Sequence, residues 1–118
     1  DCFLMPSRFE PCGLNQMYSQ AYGTPPLVNG TGGLVDSVLD ATLDPAEGTG
    51  FVMRSPDAQG FSDALSRARA AWERPADWHR IQANGMRRDF GWAASARRYE
   101  QVYREAVERA RPRFFRTA

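Results

Sequence analysis

Arg8-Phe9-Glu10-Pro11-Cys12-Gly13-Leu14 brings a guanidinium, a carboxylate and a glycine into one seven-residue stretch. The stretch follows a short apolar run, Cys2-Phe3-Leu4-Met5, closed by Pro6, and leads into a helical pattern that begins at Leu14. A loop between the carboxyl end of a strand and the start of a helix suits an anion. The first turn of a helix has backbone N–H groups without partners inside the helix, together with a partial positive charge. A phosphate can therefore rest against Gly13, Leu14 and Asn15 without any basic side chain. Gly13 has no Cβ to hold a ligand away. Glu10 can accept hydrogen bonds from hydroxyls on whatever is joined to that phosphate, and phosphate plus polyol suggests a nucleotide sugar. On pattern alone a carboxylate in such a loop is more often a surface charge or a cap. Arg8 either faces the phosphate or braces the loop that carries Glu10.

The elements that must hold this loop follow from apolar spacing. Cys2 to Met5 reads as a buried strand of a parallel sheet. Leu14, Met17, Tyr18 and Ala21 share one face of a helix, with Gly23 at its C-terminal cap. Pro26-Leu27-Val28 reads as a second strand, Asn29 to Gly33 as a tight loop and Leu34 to Leu39 as a short helix. A polar, turn-rich segment, Asp40 to Thr49, precedes a third strand, Gly50 to Met53. Ser55-Pro56-Asp57 reads as a helix start with a capping hydroxyl. Phe61, Ala64, Leu65, Ala68 and Trp72 then form an inward face, and Pro75 breaks that helix. A further helix carries Trp78, Ile81 and Met86, and a last one places Trp92, Ala96, Tyr99, Tyr103, Ala106 and Ala110 in a single stripe. The aromatic residues Trp72, Trp78, Trp92, Tyr99 and Tyr103 are expected to pack in the core. This alternating order predicts an α/β fold: a partial Rossmann-like parallel sheet of about three strands with flanking helices, which binds ligands at the carboxyl ends of its strands.

The words along the chain carry a resemblance. Pro6-Ser7-Arg8-Phe9-Glu10-Pro11-Cys12-Gly13-Leu14-Asn15-Gln16 resembles the donor-site signature of bacterial glycogen synthases and plant starch synthases. Tyr22-Gly23-Thr24, Thr31-Gly32-Gly33-Leu34-Val35-Asp36, Thr49-Gly50-Phe51 and Asp89-Phe90-Gly91-Trp92 follow in that family's order. The resemblance covers residues 1–108 and leaves 109–118 as a basic tail. It implies the later part of the C-terminal, nucleotide-sugar lobe of a two-lobed glycosyltransferase B-type fold, with the acceptor lobe absent. The implied reaction is glucosyl transfer from ADP-glucose to the non-reducing end of an α-1,4-glucan (glycogen), with retention, and without metal or organic cofactor. Glu10 would then contact hydroxyls of the transferred glucose, and N–H groups around Cys12, Gly13, Leu14 and Asn15 would hold sugar and diphosphate. Arg8, Thr31, Gly32 and Gly33 are further loop contacts. Tyr18 stands where related transferases often have a second glutamate, a position at which the glycogen and starch synthase branch also departs from that pattern. Asn29-Gly30 replaces the usual arginine before Thr31-Gly32-Gly33, which puts a charged role for that loop in doubt.

Composition narrows the classes. The chain has 118 residues, 42% of them hydrophobic and 25% charged, with a net charge of +1. No apolar run nears the roughly 18 residues of a membrane span, and the expected setting is the cytoplasm, with Cys2 and Cys12 as reduced thiols. All fifteen cations are arginine. A chain without lysine lacks the phosphate-binding lysine and the lysine-glycine-glycine loop that the family uses elsewhere, so catalysis by this chain alone is not expected. Asp1, leading straight into an apolar run, reads as a start within a domain. The arginines from Arg97 to Arg116 alternate with Glu100, Glu105 and Glu108 at helical pairing distance, which describes a solvated face and not a nucleic-acid patch. His79 is expected as a partly exposed helix residue without a catalytic role. A sheet of three strands should leave an open edge, through which copies can associate. The rival readings are a non-catalytic nucleotide-sugar-binding remnant and, more distantly, an RNA-binding protein resting on the basic tail.

Overall fold

The computed structural model describes residues 1–114, and side chains as far as residue 110. They fall into two compact units, Asp1–Arg88 and a second that begins at Asp89. In the first, β1 (Phe3–Met5), α1 (Asn15–Ala21), β2 (Pro26–Asn29), α2 (Gly33–Ser37), β3 (Phe51–Met53), α3 (Ala58–Trp72) and α4 (Pro75–Arg87) follow in order. The three strands form a parallel sheet in the order β1-β2-β3, with Leu4 opposite Leu27 and Leu27 opposite Phe51. The expected strand–helix alternation and parallel sheet are what the chain forms.

Side-chain alternation along a strand divides the core into two layers. Leu27, Phe51 and Met53 face α3 and α4, where Ala64, Ala68, Ala71, Trp78 and Ile81 complete a buried cluster. The rings of Phe51 and Trp78 stack with centroids 6.3 Å apart, a geometry that contributes about 0.5–1.5 kcal/mol beyond area burial. Val28 faces the other way, against Leu34 and Val38. Only β2 is buried along its whole length. β1 lies at the sheet edge and is partly open, with Leu4 48% exposed, so the expectation of a buried first strand is corrected.

The helices turn different faces inward from those that apolar spacing predicts. α1 buries Gln16 and Gln20, while Leu14 and Tyr18 are exposed. α3 buries Gly60, Ala64, Ala68 and Ala71, and leaves Leu65 and Trp72 exposed, the latter at 59%. Small residues let this helix lie close on the sheet, and the bulky ones are displaced to its flank. In α4, Trp78 and Ile81 are buried as expected, but Gly85 replaces Met86, because the helix approaches α1 there: a Cβ on Gly85 would stand 3.3 Å from Cβ of Gln20. The capping group of α3 is Asp57, which accepts from the Gly60 N–H at 2.8 Å, while the Ser55 hydroxyl donates to Asp57. Pro75 both closes the gap after α3 and occupies the first turn of α4. The α1 helix ends as expected, with Gly23 N–H on the Gln20 carbonyl and Thr24 N–H on that of Ser19.

The polar segment 40–50 is pinned by side chains. Asn84 donates to the carbonyls of Ala46 and Gly48, and Arg80 to that of Pro45. Arg67 joins Asp40 at 2.8 Å, Asp63 at 3.0 Å, Thr42 Oγ1 at 3.0 Å and the Val52 carbonyl at 2.6 Å. The second unit holds α5, Trp92–Phe114. Its predicted apolar stripe is exposed at Trp92, Tyr99 and Tyr103, which corrects the reading of these aromatic residues as core. Glu100 pairs with Arg104 at 2.6 Å, the helical spacing expected of a solvated face. Of the basic segment 109–118, residues 115–118 lie outside the described residues.

Candidate functional site

Two loops meet at the carboxyl ends of β1 and β2. Asn29, the last residue of β2 and nearly buried, donates from Nδ2 to the Ser7 carbonyl at 3.0 Å and ties the loop after β1 to the neighbouring strand. Gly33 N–H then donates to the carbonyls of Glu10 and Pro11, at 3.1 and 3.2 Å. The backbones run so close that a Cβ on Gly32 would lie 1.9 Å from the Glu10 carbonyl oxygen, and one on Gly33 would lie 2.7 Å from Cys12 Cα. Gly32 also has φ of 49°, a conformation that favours glycine. Thr31, Gly32 and Gly33 are thus brought to the same end of the sheet as Glu10, with the two glycines seated against its backbone.

The next turn is held from inside. Gln16, fully buried, shares the two hydrogens of Nε2 among three acceptors, the carbonyls of Cys12 and Gly13 and Ser37 Oγ, each at 3.0 Å. The Ser37 hydroxyl in turn donates to the Gly33 carbonyl at 2.7 Å. Gln20, one turn on, donates to the carbonyls of Gln16 and Ser37. The carbonyls of Cys12 and Gly13 can only accept, so the amide nitrogen of Gln16 must face them, and Oε1 of both glutamines is left buried without a partner.

Every peptide bond here is trans, and in a trans peptide the N–H points opposite to the carbonyl. The carbonyls of Pro11, Cys12, Gly13 and Leu14 are all engaged, by Gly33 N–H, by Gln16 and by the N–H groups of Met17 and Tyr18. The N–H groups of Cys12, Gly13, Leu14 and Asn15 are accordingly turned away from those partners. Gly13 has φ of 72° and Leu14 is right-handed helical, a succession of opposite hands that draws neighbouring N–H groups toward one side, a geometry suited to an anion. Gly13 is doubly constrained: a Cβ there would meet Gln16 Oε1 at 2.5 Å.

Glu10 is half-buried on this loop, and Cys12 is an exposed free thiol. Arg8 is exposed and lines a cleft of about 320 Å³ together with Met53, Asp57 and Phe61. The loop is braced by Asn29 instead; among the described residues no ion pair joins Arg8 to Glu10. His79 is exposed on α4. Sequence reasoning met Gln16 as the last residue of the signature and Asn29 as a departure from the family's pattern, gave neither a structural role, and did not single out Gln20 or Ser37. The available signal was two glutamines four residues apart, which share a helix face, beside a loop whose carbonyls need donors.

Comparisons with known proteins agree along the whole described sheet. The model of the family described as "Glycosyl transferases group 1" matches residues 1–84. A glycogen synthase from Paracidovorax citrulli is 60% identical over 114 residues, covering 96% of this chain and 22% of that protein. One from Alkalilimnicola ehrlichii is 56% identical over 88% of this chain and 22% of its own length. Among solved structures, the catalytic domain of starch synthase IV from Arabidopsis thaliana, bound to ADP and acarbose, superposes with a TM-score of 0.76. It is 41% identical over 92% of this chain and 23% of its own. The sucrose-phosphate synthase of Thermosynechococcus elongatus gives a TM-score of 0.63 at 32% identity, over 89% and 25% of the two chains. The chain therefore spans about a fifth of the length of the curated relatives it matches. Among the described residues, no helix is long and apolar enough to cross a membrane.

Proposed function

Because the chain belongs to the glycosyl transferases group 1 family, we propose that it forms part of the donor site of a glycogen synthase. The reaction is transfer of glucose from ADP-glucose to the non-reducing end of an α-1,4-glucan, with retention of anomeric configuration. The observation that carries this reading is the run of four backbone N–H groups, Cys12 to Asn15, turned outward on the loop that carries Glu10. Sequence identity to glycogen synthases of 60% and 56% supports it.

As the bond between sugar and phosphate loosens, positive charge grows on the ring and negative charge on the departing diphosphate. Backbone N–H groups fixed in advance stabilise the second, and a carboxylate near the ring stabilises the first. Glu10 accepts hydrogen bonds from hydroxyls of the transferred glucose, and Cys12, Gly13, Leu14 and Asn15 hold sugar and diphosphate through their N–H groups. Arg8, Thr31, Gly32 and Gly33 make outer contacts with the same donor. The glucan acceptor is held by sequence outside this segment, and the setting is cytoplasmic. Held in isolation, the chain binds donor weakly and does not turn it over.

Titration calorimetry of ADP-glucose into the 118-residue chain tests the site. Heat with a dissociation constant in the millimolar range is expected. Gly13→Val should abolish it, because its side chain would meet Gln16 and its φ disfavours a branched residue. A folded chain that gives no heat at millimolar donor would overturn the reading.

A further inference from the structure

We infer that Gln16 is the positioning residue of this donor site, the group that sets the direction of the Gly13 and Leu14 N–H vectors. The inference rests on the donor-site reading and assigns a cause within it. One buried amide nitrogen reaches two successive carbonyls, Cys12 and Gly13, at 3.0 Å each, and is anchored from behind by Ser37 Oγ at the same distance. Each of those carbonyls belongs to the peptide unit whose N–H faces the ligand, so drawing the oxygen inward turns the hydrogen outward. The anchor runs on from Ser37 to the Gly33 carbonyl, and Gly33 N–H holds Glu10 and Pro11. Carboxylate loop and N–H cradle are thus set by one continuous chain of hydrogen bonds.

A residue kept for stability alone would not be built this way. Gln16 buries Oε1 with no partner, an arrangement that costs stability. An apolar side chain of the same length would avoid that cost and forfeit the hold on the two carbonyls and on Ser37 Oγ.

Gln16→Met separates the two roles. It keeps the length, removes the donor, and also removes the orphan oxygen, which offsets part of the lost bonding. In the ligand-free chain, residual dipolar couplings of the Gly13 and Leu14 N–H vectors should change, while those of β2 and α3 stay as in the parent. Calorimetry with ADP should show affinity lower by about tenfold, with circular dichroism unchanged. Should Gln16→Met not fold, Ser37→Ala keeps Gln16 and removes its rear anchor together with the bond from Ser37 to the Gly33 carbonyl, and the same two readouts should move in the same direction with about a threefold loss. Couplings unchanged at Gly13 and Leu14, or ADP affinity equal to that of the parent, would overturn the inference. If the parent itself bound no ADP, the donor-site reading would fall, and the couplings alone would still decide whether Gln16 aims the two groups.

Discussion

At Gly32 and Gly33 the site depends on the absence of atoms. The loop carrying Glu10 lies so near that any Cβ at Gly32 overlaps the Glu10 carbonyl oxygen, and one at Gly33 overlaps Cys12. Backbone cannot yield as a flexible side chain can, so Gly33→Ala must push the two loops apart. We expect donor affinity to fall by at least tenfold, with a stability loss of about 1–3 kcal/mol, the range for overpacking. Paired melting and ADP-glucose titration check this; an alanine variant with parental affinity would show that the loops are not coupled. Glu10, Gly13, Leu14 and Asn15 were legible as candidates because a glycine and a carboxylate sat between an apolar run and a helical pattern, and Cys12 joined them only through the family resemblance. Gln16 and Ser37 were not, because a buried amide leaves no mark in apolar periodicity.

At the scale of elements, strand and helix order could be read from the sequence, since apolar runs, Gly23 and the prolines are local signals. Helix faces were less legible. Large apolar residues suggested Leu65 and Trp72 as the inward side of α3, but the sheet is approached through Ala64, Ala68 and Ala71. The face of α1, read as Leu14, Met17, Tyr18 and Ala21, differs for another reason: its neighbours are carbonyls, so the amides of Gln16 and Gln20 are buried there.

The Arg67–Asp40 pair is the electrostatic tie between α3 and the segment before β3. Burial alone would raise the Asp40 pKa, yet hydrogen bonds from Val52 N–H, Arg67 and Thr42 N–H outweigh it and hold the carboxyl below its ordinary range. A depressed folded pKa stabilises the fold above the unfolded value, about 3.9, and that contribution is lost as pH falls through the lower folded value. Thermal stability should therefore hold steady down to about pH 5 and decline below about pH 4. Asp40→Asn should cost about 3 kcal/mol at neutral pH, the lower end for removing one partner of a buried pair, and should flatten part of the acid decline. Thermal melts from pH 7 to pH 2 measure both; an unchanged acid slope in Asp40→Asn would place the sensitivity elsewhere.

The whole molecule has a β1 edge with no further strand among the described residues and an exposed Leu4 upon it. Unpaired strand edges invite pairing with another chain. We expect light scattering to show an apparent mass that rises with concentration; a sharp monomer at all concentrations would mean that this edge is covered. The isolated chain should incorporate no glucose from ADP-glucose into glycogen, and transfer that tracks the purified chain would contradict that.

The central claim is that Glu10 acts on the reacting sugar, and kinetics in a protein joining this segment to the remaining length of a related glycogen synthase test it most directly. A hydrogen bond to a charged group is worth about 1.5–3 kcal/mol, so Glu10→Ala should cost roughly one to two powers of ten in kcat/KM. Glu10→Gln keeps shape and one acceptor oxygen but not charge. Since positive charge on the ring belongs to the transition state, kcat should fall more than KM rises. His79→Ala, on the exposed side of α4, should stay within about twofold as the control. The account predicts a clearly impaired Glu10→Gln enzyme with an intact fold by circular dichroism; a Glu10→Gln enzyme as active as its parent would contradict it.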